Sequence, residues 1–340
     1  MEDKDIAALS ELLRRRVDEH NRPLGGLSAL LSDIDNIRLN SKVLASYIAE
    51  LTYYQHIKSK PLLKQPQNIG ISGRICREAD FSSDWFLFWT DQLKYTPYLH
   101  RKVWEDAYAL QCLWELGMFA KGKSGLGFAV GAEALPAYFV GQGAQIVATD
   151  LGADDSRAEG WRLTDQHASD IKPLWREQFG TWEQFSANCS YRPVDMTAIP
   201  ADLNDKFDFC WSICAFEHLG SIEKGLQFVC NAMKTLKPGG AAVHTTEYNF
   251  DQTQTIDNWG TVLFQKKHFE ILRERLEKQG DRLLAIDFEA GSGFFDSFVD
   301  VPPFPHQYMN DLNKPNSPHV KISVDGFPST SIAIIAIRGS

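Results

Sequence analysis

No apolar run in this chain of 340 residues approaches the length that crosses a bilayer, and the opening MEDKDIAALS carries charges where a secretory leader needs an apolar stretch. Both absences point to a cytoplasmic protein without a membrane partner. Basic runs are equally scarce. None exceeds Arg14-Arg15-Arg16, and the net charge is −9, so the broad positive footprint that a phosphate backbone requires is missing and nucleic acid is not the expected substrate. The six cysteines (Cys76, Cys112, Cys189, Cys210, Cys214 and Cys230) form no C-x-x-C knuckle. That excludes a zinc or disulfide framework and predicts reduced, mostly buried thiols, with Cys210 and Cys214 in the core. What the chain does have is 44% hydrophobic and 12% aromatic residues, enough to build a sizeable core.

Three regions follow from the patterning. Residues 1–60 form a helical N-terminal segment: a short helix over 4–20, stopped by the turn Asn21-Arg22-Pro23-Leu24-Gly25-Gly26, then a longer one over about 27–57. In the second helix Leu30, Ile34, Ile37, Leu44, Ile48 and Leu51 fall three and four apart, with Ser41 interrupting the series. Such a stripe serves two uses, packing on the chain's own main domain or self-association as a homo-oligomer through residues 27–57. Residues 61–117 are a lead-in. Its first part, 61–80, reads as a linker punctuated by Pro61, Pro66, Gly70 and Gly73, and its remainder as aromatic-rich helix with Trp85, Trp89, Trp104 and Trp114 in the core.

Residues 118–340 alternate short apolar runs with helical stretches, the pattern of a parallel sheet with crossover helices. Strands are expected at SGLGF, AQIVATD, SYRPVD, FDFCWSI, GAAVHTTE, LLAIDFE and SIAIIAIR. The last follows a Pro-rich loop from Asp300 to Pro328 rather than a helix, so it is expected to run antiparallel. The fold class is α/β, a seven-stranded Rossmann-like sheet with an antiparallel last strand, preceded by a helical extension.

The turn Ser124-Gly-Leu-Gly-Phe-Ala-Val-Gly-Ala-Glu133 sits where the first of these strands meets its helix, and glycine there lets backbone approach a ligand. Asp150 ends the next strand, where a carboxylate can accept hydrogen bonds from ribose hydroxyls, and Asp195 closes the third, beside Met196. Then come FDFCWSICAFEHLG and Leu236-Lys237-Pro238-Gly239-Gly240. In this order the elements resemble class I S-adenosylmethionine-dependent methyltransferases, over residues 118–338. The glycine turn departs from the commoner G-x-G-x-G by one residue of spacing, with Ala129 where a third glycine could stand. The resemblance implies S-adenosylmethionine as cofactor, with Gly125, Gly127 and Gly131 lining its methionine moiety, Asp150 on the ribose, Asp195 and Met196 flanking the adenine, and Ser212 beneath. Segments such as GLGF-x-VG-x-E and LKPGG-x-A-x-HTTE-x-N further resemble a group of uncharacterised bacterial methyltransferases, which in domain arrangement resemble enzymes that decorate sugars or polysaccharides, and this implies a carbohydrate or other small-molecule hydroxyl as acceptor.

Transfer to an aliphatic hydroxyl calls for a base or a divalent metal near the carboxyl ends of the strands. Glu217, His218, His244, Glu247 and Asn249 fall there. His218 is the expected base, oriented by Glu217 or Glu247, since imidazole titrates near neutrality. His244 and Glu247 could instead join a metal set, although no bound metal is expected. Trp161, Trp211, Tyr248 and Trp259 are candidates to stack on a sugar ring. Tyr95, Tyr98 and His100 become pocket residues if the N-terminal region closes as a lid, and Thr164-Asp165-Gln166-His167, Asp300 and His306 could cap the pocket. The alternatives are an N- or C-methyltransferase, a nicotinamide-dependent oxidoreductase, which shares the glycine turn and strand-end acid, and a non-catalytic scaffold that keeps the fold.

Overall fold

The computed structural model describes residues 4, 17–22, 27–152, 154–163, 166–304 and 318–340. Thr164, Asp165 and His306, and most of the helix expected over 4–20, lie outside the described residues. Val17 to His20 are described and are not helical. The Asp18 carboxylate accepts from the backbone N–H of His20 and Arg22 and from Arg22 Nε, an Asx-type turn that competes with helix.

Helix α1 (Leu27–Thr52) continues into one π turn, Tyr53–Ile57. Residues 61–72 have no regular structure, but the expected linker does not extend to 80. Gly73–Ile75 is a strand, β1, inserted into the main sheet. Helices α2 (Asp84–Leu93) and α3 (Arg101–Glu115) follow. Then come β2 (Ser124–Gly127), α4 (Leu135–Gly141), β3 (Gln145–Asp150), α5 (Glu159–Leu163), α6 (Trp182–Asn188), β4 (Cys189–Pro193), β5 (Phe207–Ser212), α7 (Ile222–Ala232), β6 (Leu236–Asn249) and α8 (Lys266–Lys278). The chain ends with β7 (Arg282–Leu283), β8 (Ile286–Asp287), α9 (Phe294–Ser297), β9 (Val299–Asp300), β10 (Lys321–Val324) and β11 (Phe327–Ile337).

The strands order as β4-β3-β2-β5-β6-β11-β1-β8, parallel from β4 through β6, with β11 antiparallel to β6. This is the expected Rossmann-like arrangement with its antiparallel last strand. The sheet has eleven strands among the described residues rather than the expected seven, and two details account for most of the difference. The LLAIDFE region yields two strands of two residues each, β7 and β8, because β1 takes the place beside β11 that a single longer strand would fill. The Pro-rich loop also contains β10, which forms a hairpin with β11 through Asp325 (φ 47°) and Gly326 (φ 88°), both left-handed as a type I′ turn requires.

Two cores flank the sheet. On one face Phe209, Trp211, Val243, Ala333 and Ile335 pack under α2, α3 and α4, where Trp85, Trp89 and Trp104 are buried and Trp114 is partly so. On the other, Cys210, Ala242, Ile332 and Ile334 pack under α7 and α8. The lead-in helices therefore share the core of the sheet. All six cysteines are buried free thiols. Among the described residues no helix is long and apolar enough to cross a membrane.

Candidate active site

A parallel sheet opens at the strand whose neighbours leave in opposite directions, here β2, flanked by β3 and β5. The chain leaving β2 makes a tight turn in which Ala129 (φ 49°) and Gly131 (φ 50°) are both left-handed. A Cβ on Gly131 would stand 2.6 Å from the Gln166 carbonyl oxygen. Gly125 and Gly127 are required for a different reason: a Cβ on either would run into the Phe209 or Trp211 ring at 2.3 and 2.5 Å. Their bare α-carbons thus accommodate the aromatic core, and any contribution they make to a ligand is through backbone.

Asp150, at the end of β3, is almost completely buried. Its Oδ2 accepts from the Gly131 and Ala168 N–H groups, both at 3.2 Å, and its Oδ1 from Leu151 N–H at 2.8 Å. Burial raises its pKa, and those N–H groups oppose the rise. The carboxylate ties the β2 turn to the segment after α5. Asp195 is half-buried and more accessible. Its Oδ1 caps Thr197, and its Oδ2 takes Arg157 Nη2 at 2.8 Å. Burial works to raise its pKa, but these partners hold it below the usual carboxylate value. Met196 is buried. Ser212 is fully buried and hydrogen-bonded to His244 Nδ1 at 2.8 Å.

The four expected catalytic residues do not form one group. Strand β6 alternates faces, so His244 and Glu247, three residues apart, project from opposite sides of the sheet. His244 lies among Phe216, Phe228 and Ser212. Burial pushes its pKa down to about 3, and its Nε2 has no partner. It is a neutral core imidazole, and the shared metal set of His244 with Glu247 is geometrically excluded. Trp211 and Tyr248, expected to stack on a ligand, are likewise buried in the core.

Glu217, His218 and Glu247 do converge. Cys214, Glu217 and Glu247 bring potential ligand atoms within 4.8 Å of one another, yet a guanidinium already holds two of the three, Glu247 and Cys214. Arg101 Nη2 lies 2.5 Å from Glu247 Oε1, and its Nη1 donates to Glu105 Oε1 at 3.1 Å and to Ser331 Oγ at 3.0 Å. Burial opposes the charge on Arg101, but Glu247, Cys214 and Glu105 more than offset it and raise its pKa. Burial alone would raise the Glu247 pKa, and Arg101 and Lys102 instead hold it low. Glu217 is buried, accepts from Thr246 Oγ1 at 3.0 Å, and leaves Oε1 without a hydrogen bond. That oxygen is 3.8 Å from His218 Nε2. His218 Nδ1 is 3.1 Å from the Gly260 carbonyl, which places the proton on Nδ1 and leaves the Nε2 lone pair free. The Trp161 ring stands edge-on to the imidazole at 4.6 Å.

Sequence reasoning missed Arg101 and Glu105, the residues that knit this cluster together. The available signal was their i,i+4 spacing on a helix nine of whose thirteen other positions are apolar. It also missed a second string of charges. Lys42 of α1 reaches Asp300 Oδ1 at 2.5 Å, Asp300 Oδ2 holds His319 Nδ1 at 2.9 Å, and the His319 ring stacks on His100 at 4.8 Å. His100 and Asp300 were candidates, and both are buried here. Tyr98 instead stacks on Tyr53 at 5.7 Å, and Tyr95 donates to Asp106 at 3.2 Å.

Asp106 yields a testable consequence. Burial, followed by the nearby Glu105 charge, pushes its pKa up to about 7, with Tyr95 and Lys102 acting in opposition. A carboxyl whose folded pKa is raised adds stability below its unfolded value, near 4, and loses that contribution as pH rises through 7. The urea midpoint of the native protein should therefore increase as pH falls from 8.5 to 6.5. Asp106→Asn should remove most of that slope, and an equal slope in both proteins would refute the assignment.

No protein family profile matches the chain, and no curated protein matches it. Solved structures do resemble it distantly. A putative sarcosine dimethylglycine methyltransferase from Galdieria sulphuraria aligns at 15% identity, over 76% of this chain and 99% of that one, with a TM-score of 0.43. The [4+2]-cyclase SpnF aligns at 15% identity over 69% and 81%, with a TM-score of 0.40. Phosphoethanolamine N-methyltransferase 2 from Haemonchus contortus aligns at 13% identity over 68% and 52%, with a TM-score of 0.38. The fold described above rests on the strand order of this chain.

Proposed function

We propose that this protein is an S-adenosylmethionine-dependent methyltransferase acting on a small-molecule hydroxyl, with a sugar as the favoured acceptor. The observation that carries the reading is the convergence at one switch point of the Gly127–Gly131 turn, the strand-end acids Asp150 and Asp195, and a polar cluster past the ends of β5 and β6. The donor set suits the cofactor. Asp195 has carboxylate surface exposed toward solvent, whereas Asp150 spends three acceptor positions on backbone and has about one left for a ribose hydroxyl. When bound, the cofactor supplies an electrophilic methyl group. The chain's own task is to align the acceptor and remove its proton.

In this reading His218 takes the hydroxyl proton at Nε2, while Gly260 fixes its tautomer and Glu217 stabilises the imidazolium. Trp161, against His218, and the exposed Trp259 offer apolar surfaces for a sugar ring. Arg101 and Glu247 already satisfy each other and act as the floor of this region.

The test is calorimetric titration with S-adenosylmethionine, S-adenosylhomocysteine and NADH. Both sulfur cofactors should bind at micromolar concentration, NADH should give no heat, and Asp195→Ala should weaken binding by about 10- to 100-fold, as expected for loss of a charge-assisted acceptor. Heat from NADH alone, or from none of the three, rejects the reading.

A further inference from the structure

Helix α1 departs from the usual rule for a surface helix in directing Lys42 inward while several of its large apolar side chains face outward. Its inner side is made by Arg38, Lys42, Ala45, Ala49 and Thr52, with Lys42 locked onto Asp300 and Ala45 buried. The stripe expected from sequence is split by this orientation. Ile48 turns partly inward, while Ile37, Leu44 and Leu51 remain 64%, 63% and 39% exposed.

These three join Asn40 and Tyr47 in an unbroken 3-4-3-4 series, 37-40-44-47-51, and all five are exposed. Ile34 and Val43 border the series and are exposed too, and Tyr54 extends it into the π turn. The exposed surface on these side chains is on the order of 700 Å², beyond what a monomer usually leaves open and close to one partner's share of a stable interface.

From this face we infer that α1 is a dimerisation helix and that its partner is α1 of a second copy, lying parallel to it. Three features select that occupant. The 3-4 spacing is the heptad rule of a two-helix seam, with Ile37, Leu44 and Leu51 at one core position and Asn40 and Tyr47 at the other. A parallel two-fold pairing sets Asn40 against Asn40 of the second copy, so each buried amide finds a partner, whereas an antiparallel pairing sets it against leucine. At the flanks, Asn36 meets Ser41 and Val43 meets Ile48 of the second copy, so no like charges oppose each other. The two faces of α1 are then both used, one on Asp300 beside the candidate site and the other on the second copy.

Sedimentation equilibrium on the full chain tests this without reference to activity. The native protein should have twice the mass of one chain at micromolar concentration. Ile37→Glu/Leu44→Glu should weaken association by about 100-fold or more with an unchanged circular dichroism spectrum, because charges would be buried in the seam. Leu44→Cys should cross-link to its own copy on oxidation, the native thiols being buried. A monomeric native protein overturns the inference. So does a chain that associates only after residues 1–16 are removed, which would show that its own Ile6, Leu9, Leu12 and Leu13 cover the stripe. A dimer that Leu44→Cys leaves uncross-linked overturns the parallel register.

Discussion

Arg101→Ala is expected to lower the free energy of unfolding at pH 7 by about 3–5 kcal/mol, the cost of stranding a buried carboxylate. Arg101 is nearly inaccessible and is the main counter-charge for Glu247, which has no other cation in direct contact among the described residues. Glu105 would fare better, because Lys102 Nζ remains 3.3 Å away. The pH dependence gives the prediction its sign. Glu247 has a lowered folded pKa, so its contribution is present above the unfolded carboxylate value and is lost as pH falls through the folded one. In the variant Glu247 has lost this stabilisation and can protonate at moderate pH, so the deficit measured by urea unfolding should be larger at pH 8 than at pH 5. Arg101→Met/Glu247→Leu should recover much of the loss, since a matched apolar pair leaves no buried charge. A deficit below about 1 kcal/mol for Arg101→Ala would mean that water reaches Glu247 and that the cluster belongs to an open site.

The sheet was legible because its strands are short apolar runs bounded by turn residues and because Asp150 ends β3 and Gly131 lies in the turn after β2, where backbone geometry is most demanding. The additions were less so. β1 has the sequence Gly-Arg-Ile, too short for alternation to register, and it joins the sheet only because β11 offers an unpaired edge there. The β10–β11 hairpin did carry a local signal, Asp325-Gly326, but it sits in a segment whose prolines read as loop. At the site, the separation of His244 from Glu247 follows directly from the two-residue period of a strand and could have been deduced from spacing. Arg101 could not be deduced that way, because nothing local shows that the amino end of α3 crosses the carboxyl ends of β6 and β5. The LKPGG segment, the most family-like element in the sequence, lies at the opposite end of the sheet. There Lys237 binds Asp208 at 2.9 Å and Gly239 adopts φ 79° in an irregular stretch of β6. Its role here is to shape the strand.

Gly131→Ala tests the turn after β2 separately from the rest of the fold. The new methyl group would meet the Gln166 carbonyl oxygen at 2.6 Å, and at φ 50° alanine is itself strained. Together these should cost about 2–5 kcal/mol. The obstacle is main chain rather than the tip of a side chain, so relief requires moving one of two backbone segments that Asp150 pins together through the Gly131 and Ala168 N–H groups. If the segment containing Gln166 yields, the protein stays folded and one Asp150 acceptor position is released, so binding of S-adenosylmethionine should change by no more than about tenfold. If the turn at Ala129 and Gly131 yields, cofactor binding should be lost along with the fall in the urea midpoint. Titration calorimetry and urea unfolding on the same preparation distinguish the two. Unchanged stability together with unchanged binding would show that the Gln166 segment does not rest on the turn in solution, and Asp150 Oδ2 would then have a further acceptor position for a ribose hydroxyl.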